Sequence, residues 1–226
     1  MVWNEVIEAL ESIIDDYERV NHLISFRQDD KVRQKGLDSV SPINGVTVEL
    51  GSGPGNYSKM IHERIEGELV CLDFSGKMHE TARTRNRELE HHYVRGVFES
   101  LPFKEGSIGF LTAAYALRDS LDKEASFTEV HRVLDLGGKF LLVDIGKPDN
   151  WILRTGMSAY MQIMVPLIGA LAGGKRPDNP WRILYDTFEI LPKNGELSKL
   201  VKNIFGEASL TEHSLGGLVT LTAVKS

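Results

Sequence analysis

Residues 48–57 read Val48-Glu49-Leu50-Gly51-Ser52-Gly53-Pro54-Gly55-Asn56-Tyr57. Three glycines alternate directly behind an apolar run. Glycine loses more conformational freedom on folding than any other residue, so the cluster implies a sharp turn or a close approach to the backbone. Its flanks decide what kind of turn. Val46–Leu50 is a short apolar strand pattern and Asn56–Ile65 a helical one. The glycines therefore join a strand to a helix.

The same texture continues outward. Glu68–Leu72 reads as a second strand, followed by Asp73, and Gly76–Glu90 as a charge-rich helix. His92–Arg95 and Ile108–Ala113 read as strands, Lys123–Leu134 as a helix ended by Gly137-Gly138, and Phe140–Ile145 as a fifth strand. Strands separated by helices imply a parallel sheet covered on both faces. After Asp149 the alternation stops. Residues 150–205 read as helices with a loop at Gly173–Pro180, and Glu207–His213 and Gly217–Val224 as an antiparallel pair. Upstream, Trp3, Val6, Leu10, Ile13, Tyr17, Val20 and Ile24 recur every three or four residues, the stripe of an amphipathic helix. Residues 25–36 are a polar segment with a short helix.

In such a sheet ligands bind at the carboxyl ends of the strands, where the glycine loop lies. Asp73 past the second strand suits the two hydroxyls of a ribose. The dinucleotide pattern needs G-x-G-x-x-G, and here the third glycine comes one residue early. Glu49 at the mouth of the loop would repel a pyrophosphate and complement a cation. S-adenosylmethionine, with its sulfonium and ammonium groups, fits better. The bland alternative is a plain strand-to-helix turn.

Composition bounds the rest. The 226 residues carry a formal net charge of −6, so there is no electrostatic footprint for nucleic acid. The lone cysteine, Cys71, excludes an internal disulfide and a thiolate metal cluster, and favours a reducing, cytoplasmic setting. The first residues show neither a basic n-region nor an apolar h-region, so no secretory signal is expected. No histidine pair has the spacing of a metal site, and no G-x-S-x-G elbow surrounds Ser52. Residues 155–174 hold no charged side chain and are long enough to span a bilayer, yet contain Pro166 and four glycines. They read as a helical hairpin, buried or facing a membrane, rather than a span.

The glycine stretch resembles motif I of the class I S-adenosylmethionine-dependent methyltransferases. Other segments resemble the quinone C-methyltransferase family of ubiquinone and menaquinone biosynthesis. Tyr17-Glu-Arg-Val-Asn21-His-Leu-Ile-Ser25 resembles Y-D-x-M-N-x-x-x-S, and Gly96-Val-Phe-Glu-Ser-Leu-Pro102-Phe103 resembles G-D-A-E-x-L-P-F. Tyr115-Ala-Leu-Arg118-Asp119 resembles F-G-L-R-N. Arg132 to Asp144 resembles R-V-L-K-P-G-G-x-L-x-x-x-E, and Leu215 to Leu221 resembles L-T-G-G-I-V-A-L. The matches run in order over nearly the whole chain. Four departures stand out. Val97 replaces the aspartate that meets the adenine amino group. Asp119 replaces an asparagine, Asp29 a histidine, and Asp135-Leu136 a Lys-Pro pair.

The resemblance implies a Rossmann-like α/β fold, a central, mostly parallel seven-stranded sheet with a helical cap, in a single domain. Residues 1–40 would form an N-terminal cap, 46–149 the cofactor-binding core, 150–205 a substrate-covering insertion and 206–226 a terminal strand pair. Cofactor contacts are expected from Glu49, Gly51, Ser52, Gly53, Gly55, Tyr57, Asp73, Phe74 and Met78, with Phe98 and Glu99 near the adenine and Ala114 beside the methyl. The implied reaction is C-methylation of a reduced, demethylmenaquinol-like isoprenoid quinone, with no metal required. Only a reduced ring is nucleophilic at carbon, more so as a phenolate, and a phenol ionises near pH ~10. A site working near neutrality must take or stabilise that proton. Arg118 is the candidate for stabilising a phenolate, or else forms an ion pair with Asp119 or Asp144. Asp119 and His22 are candidate bases, His22 alternatively being an exposed helix-end residue. Tyr17, Asn21, Tyr115, Tyr160, Met161 and Met164 are candidate acceptor contacts. The uncharged stretch is expected to line a channel for an isoprenoid tail, to touch the membrane peripherally, or to form a homodimer interface. Two other readings stay open: O- or N-methylation of another small molecule, and a non-catalytic cofactor-binding module, which the loss of the aspartate at Val97 favours.

Overall fold

The computed structural model describes residues 11–172 and 179–226, apart from the side chains of Asp15 and Tyr17. Tyr17 as an acceptor contact, the start of the first helix and most of the loop at 173–180 therefore lie outside the described residues. Seven strands form one sheet in the order β3-β2-β1-β4-β5-β7-β6. These are β1 Thr47–Leu50, β2 Leu69–Asp73, β3 His91–Arg95, β4 Ile108–Ala114, β5 Leu134–Ile145, β6 Ala208–His213 and β7 Leu218–Val224. The first five run parallel, while β7 is antiparallel to both β5 and β6. The class I methyltransferase architecture expected from the sequence is thus present.

The order follows from burial. All four residues of β1 are buried, as a central parallel strand covered on both faces requires. The edge strands β3 and β6 are polar and hold no buried residue. One face packs Phe127, Phe140, Leu197 and Phe205; the other packs Val32, Leu37, Ile61 and Phe110. The chain order reverses between β1 and β4, which opens a crevice at their carboxyl ends.

The helices begin where the sequence supplies caps. In α4 (Gly76–Arg85) the Ser75 hydroxyl accepts from Met78 N–H, and in α5 (Lys123–Val133) Asp122 accepts from Ala125 N–H. The polar segment after the first helix is more ordered than expected. It carries α2 (Gln28–Val40), packed on β5 and β7, behind α1 (Ile14–Ile24). The other helix behind the sheet's switch is α3 (Asn56–His62).

Two expectations are corrected. Gly137-Gly138 does not end a helix: α5 stops at Val133, Leu134 is already extended, and the glycines sit at a register shift inside β5. The uncharged stretch is not a hairpin either. Trp151–Ala172 is one helical run of 22 residues, long and apolar enough to cross a membrane, with 22% of its apolar window buried. It comprises α6 (Trp151–Ala159), a π turn (Tyr160–Met164) and α7 (Val165–Ala172). Pro166 has no N–H to return to the preceding turn. The π turn just before it, closed by Val165 N–H on Tyr160 O, absorbs that gap and the helix continues. Trp181 then packs against Gly169, where any Cβ would overlap the indole. Together with α8 (Ile183–Glu189), α1 and the inner side of this helix form a separate apolar cluster around Val20, Met161, Val165, Trp181 and Phe188. The chain then returns to the sheet through α9 (Asn194–Phe205).

Candidate functional site

At the carboxyl end of β1 the glycine loop turns in the left-handed region, with φ of +63° at Gly51, +52° at Gly53 and +82° at Gly55. The three glycines do different jobs. A Cβ at Gly51 would fall 2.5 Å from Ala116 Cβ, so that glycine lets two loops touch. A Cβ at Gly53 would meet nothing within 4 Å, because Gly53 faces a cavity. Gly55 does not line the cavity; it packs the start of α3 against Ala82 and Asn86.

That cavity, about 390 Å³, is lined by the loop, by Asp73, Phe74 and Met78, by Gly96–Glu99, by Ala114–Ala116, and by Asp119. Asp73 holds its floor: Oδ2 accepts from Gly53 N–H at 2.9 Å and Oδ1 from Ser75 N–H at 2.9 Å. Burial pushes its carboxyl above the ordinary range. Glu49 is buried with Oε2 accepting from Ser58 Oγ at 2.5 Å. Burial pushes its pKa up to about 8, against the pull of the Ser58 hydrogen bond and of Arg33. Tyr57, also in the wall, is raised by burial. Phe98 lines the cavity beside the half-exposed Val97. Glu99 reaches it too, but Oε1 is engaged by Ser120 Oγ and by the Leu121 and Asp122 N–H groups, at 2.9, 2.7 and 3.2 Å. Ser52 Oγ and Asn56 Oδ1 are buried in the same wall without a hydrogen-bond partner among the described residues. A buried polar atom left unpaired costs free energy that a polar ligand would recover. The donor set therefore fits a ligand with a cationic end and a ribose.

A second cavity of about 80 Å³ lies under the cap, lined by Asn21, Ser25, Asp29, Arg118, Met157 and Tyr160 among others. Arg33 and Tyr115 line both cavities and form the wall between them. Tyr115 sits at φ +59°, a strained position at the switch of the sheet. The Arg33 guanidinium lies 4.9 Å from the centre of the Tyr115 ring and 5.7 Å from that of Tyr57, in cation–π range.

Arg118 is buried and reaches the second cavity, with Nε 3.5 Å from Asp119 Oδ1. Asp144 lies behind it, accepting from Leu117 N–H at 2.9 Å and Ile145 N–H at 2.7 Å. Burial pushes the Asp144 pKa up to about 6, opposed by the Arg118 charge. Burial also raises Asp119, which faces the first cavity. His22 does not line either cavity; its Nε2 lies 2.9 Å from Asp30 Oδ2 and 3.6 Å from Asp29 Oδ2. Those three residues place ligand-type atoms within 4.8 Å of one another. Arg33 Nη1 sets a cation 3.0 Å from Asp30 and 3.5 Å from Asp29. Met161 and Tyr160 line the second cavity, whereas Met164 points to solvent. Ser25, the last residue of the N-terminal signature, and Met157, in the uncharged stretch expected to line a channel, both line the second cavity, whereas Arg33 was not singled out from the sequence. The Asp29/Arg33 pair at i,i+4 was the available signal for it.

Comparison with known proteins decides the family. The profile described as the ubiE/COQ5 methyltransferase family matches residues 3–225. The chain belongs to this family. A demethylmenaquinone methyltransferase of Lactococcus lactis is 27% identical over 98% of this chain and 90% of its own length. One from Listeria welshimeri is 26% identical over 96% of this chain and 94% of its own. Among solved structures, an S-adenosylmethionine-dependent methyltransferase of Thermotoga maritima superposes with a TM-score of 0.69 at 17% identity, covering 98% of this chain and all 100% of that one. Another, from Mesorhizobium loti, gives 0.58 at 18% identity over 84% and 95%. At such identities these structures speak for the fold alone. This ubiE/COQ5-family protein is an S-adenosylmethionine-dependent methyltransferase, and the glycine-loop cavity carries the features such a family needs.

Proposed function

We propose that the chain methylates a ring carbon of a reduced, demethylated isoprenoid quinone of the demethylmenaquinol type. The observation that carries this reading is the pair of cavities meeting at one wall, Arg33 and Tyr115. One has buried acids and the glycine turn; the other is mainly apolar and lies beneath a helix that faces outward with apolar residues. The relatives are named demethylmenaquinone methyltransferases, which supports the quinol reading.

Glu49, the Gly51–Gly53 backbone, Asp73 and Ser52 would hold S-adenosylmethionine in the larger cavity, with Phe98 and Met78 against its adenine. When bound, it supplies a methyl on a sulfonium, an electrophile at carbon. The acceptor ring would enter the smaller cavity. Tyr115 and Ala114 border the junction and align the ring carbon with the methyl, which carries much of the rate. Arg118, always charged, stabilises the phenolate oxygen that makes the carbon nucleophilic. Asp119 and Asp144 keep that guanidinium in place. Asn21, Tyr160 and Met161 hold the acceptor. His22 stands further out on the same cap, outside both cavities.

The same reading gives the outer face of Trp151–Ala172 a role. Its inner residues Met157, Met161 and Val165 line the acceptor cavity, whereas Ile152 (60% exposed), Ile163 (61%), Leu167 (50%) and Leu171 (77%) face outward. A helix lying on a bilayer surface would place the cavity next to a lipid-borne acceptor.

Methyl transfer from labelled S-adenosylmethionine to demethylmenaquinol, run reduced and oxidised in parallel, tests the reading. Label only in the reduced sample supports it. No label in either sample, with the cofactor bound, removes the quinol assignment.

A further inference from the structure

Resting on that reading, we propose that Asp29 is the base that takes the ring proton and that His22 and Asp30 carry it to solvent. One proton must leave for each methyl delivered. The new C–C bond leaves the ring carbon with its original hydrogen, and aromaticity returns only when that C–H bond breaks and its electron pair re-enters the ring. Arg118 stays charged and takes no proton. Asp119 borders the other cavity. Among the described residues lining the acceptor cavity, Asp29 is the single carboxylate or imidazole.

The geometry gives this group a defined exit. Asp29 is 4% exposed, so a proton delivered to it needs a path out. Ser25 Oγ donates to Oδ1 at 2.6 Å and fixes the carboxylate, while Oδ2 faces His22 Nε2 at 3.6 Å. The same nitrogen is 2.9 Å from Asp30 Oδ2, whose side chain is 34% exposed. One imidazole nitrogen thus stands between a buried and an exposed carboxylate. Arg33 Nη1 bridges the two acids from the other side, at 3.5 and 3.0 Å, and holds the negative charge that accepts the proton. The proton passes from carbon to Asp29, to His22 Nε2, to Asp30 and to water, and the electron pair stays with the ring.

The test compares the intact enzyme with Asp29→Asn and His22→Ala, using demethylmenaquinol carrying hydrogen or deuterium at the ring carbon. S-adenosylhomocysteine binding is measured in parallel as a check on the fold and the first cavity. Asp29→Asn should cut methyl transfer by about 10²-fold or more, leave S-adenosylhomocysteine affinity unchanged, and raise the ring-hydrogen isotope effect clearly above that of the parent enzyme. A residue that only shapes the cavity would slow transfer without raising the isotope effect. His22→Ala should lose less, and added imidazole should restore it. Activity of Asp29→Asn within about threefold of the parent, or a lower rate with no rise in the isotope effect, overturns the proposal. Failure of imidazole to rescue His22→Ala removes the relay. No transfer by the parent enzyme would instead sink the quinol reading.

Discussion

The glycine-loop half of the molecule and its helical cap are built on opposite terms. Apart from Arg33 and Leu121, the glycine-loop half takes its site residues from one stretch of chain, Glu49 to Asp119, and buries polar groups among them: Glu49, Ser52 and Asp73. The cap is assembled from distant segments. Tyr160 O–H donates to Ile24 O at 2.7 Å although the two are 136 residues apart. Arg19 likewise donates to the carbonyl of Ala172, 153 residues away. The first half is held by backbone geometry and by the hydrogen-bonded carboxylates of Glu49 and Asp73, the cap by apolar packing on one side and a few long-range hydrogen bonds. Local order can be enforced by turns and hydrogen bonds, whereas a cap that must admit a ligand is drawn from the less stable parts of a structure.

The largest loss is expected where the halves meet. Arg118→Met should lower stability by about 3–5 kcal/mol at alkaline pH, where Asp144 is ionised and buried without its cation. The guanidinium holds the Asp144 pKa down to about 6, so without it the carboxyl titrates higher and the deficit should shrink as pH falls toward 6, where both proteins carry that proton. Urea unfolding at several pH values measures this.

Within the glycine-loop half, Gly51→Ala should cost about 2–4 kcal/mol and weaken S-adenosylhomocysteine binding, since φ is +63° and the new Cβ meets Ala116. Denaturation and calorimetry report the two effects separately.

Glu49 gives a pH signature. Its pKa is raised from 4.5 to about 8, so the folded ligand-free protein holds a proton that the unfolded chain has released between those values. Stability should therefore fall as pH rises through that window, and Glu49→Gln should flatten the slope. Binding of a cationic ligand near pH 7 should expel the proton. Calorimetry in buffers of different ionisation enthalpy detects it in the parent protein and not in Glu49→Gln.

The smallest stability effect is expected on the outer cap. Ile163→Asp should change stability by less than about 0.5 kcal/mol, because the side chain is 61% exposed. It should nonetheless reduce sedimentation with lipid vesicles. Unchanged vesicle binding would remove the surface role. Loss of a dimer in sedimentation velocity would assign the face to a second copy of the chain.

Much of this protein was legible in the sequence because its signals are local. Motif I fixes a strand, a turn and a helix within ten residues, and the alternation around it set the parallel sheet, whose strand order only the structure gives. Even the antiparallel end was readable, since a short loop allows no crossover. Residue roles inside the site were less so. Glu99 and Asp73 stand in the cavity wall as the motifs implied, yet their oxygens also tie down the loops at Leu121 and Gly53. Pro166 in an apolar stretch reads as a break, and only the π turn beside it keeps the helix whole.

By itself the sequence determined the chain's class, because backbone periodicity and glycine conformation act between neighbours. The tertiary structure decided which charges face which cavity. Arg33 and Asp29 sit on a polar helix whose own pattern gives no reason to bury them. They are drawn inside because α2 packs on β5 and β7 and turns that side toward Tyr57 and Tyr115. Burial and charge pairing depend on which distant segments surround a group, and no stretch of the chain specifies that alone.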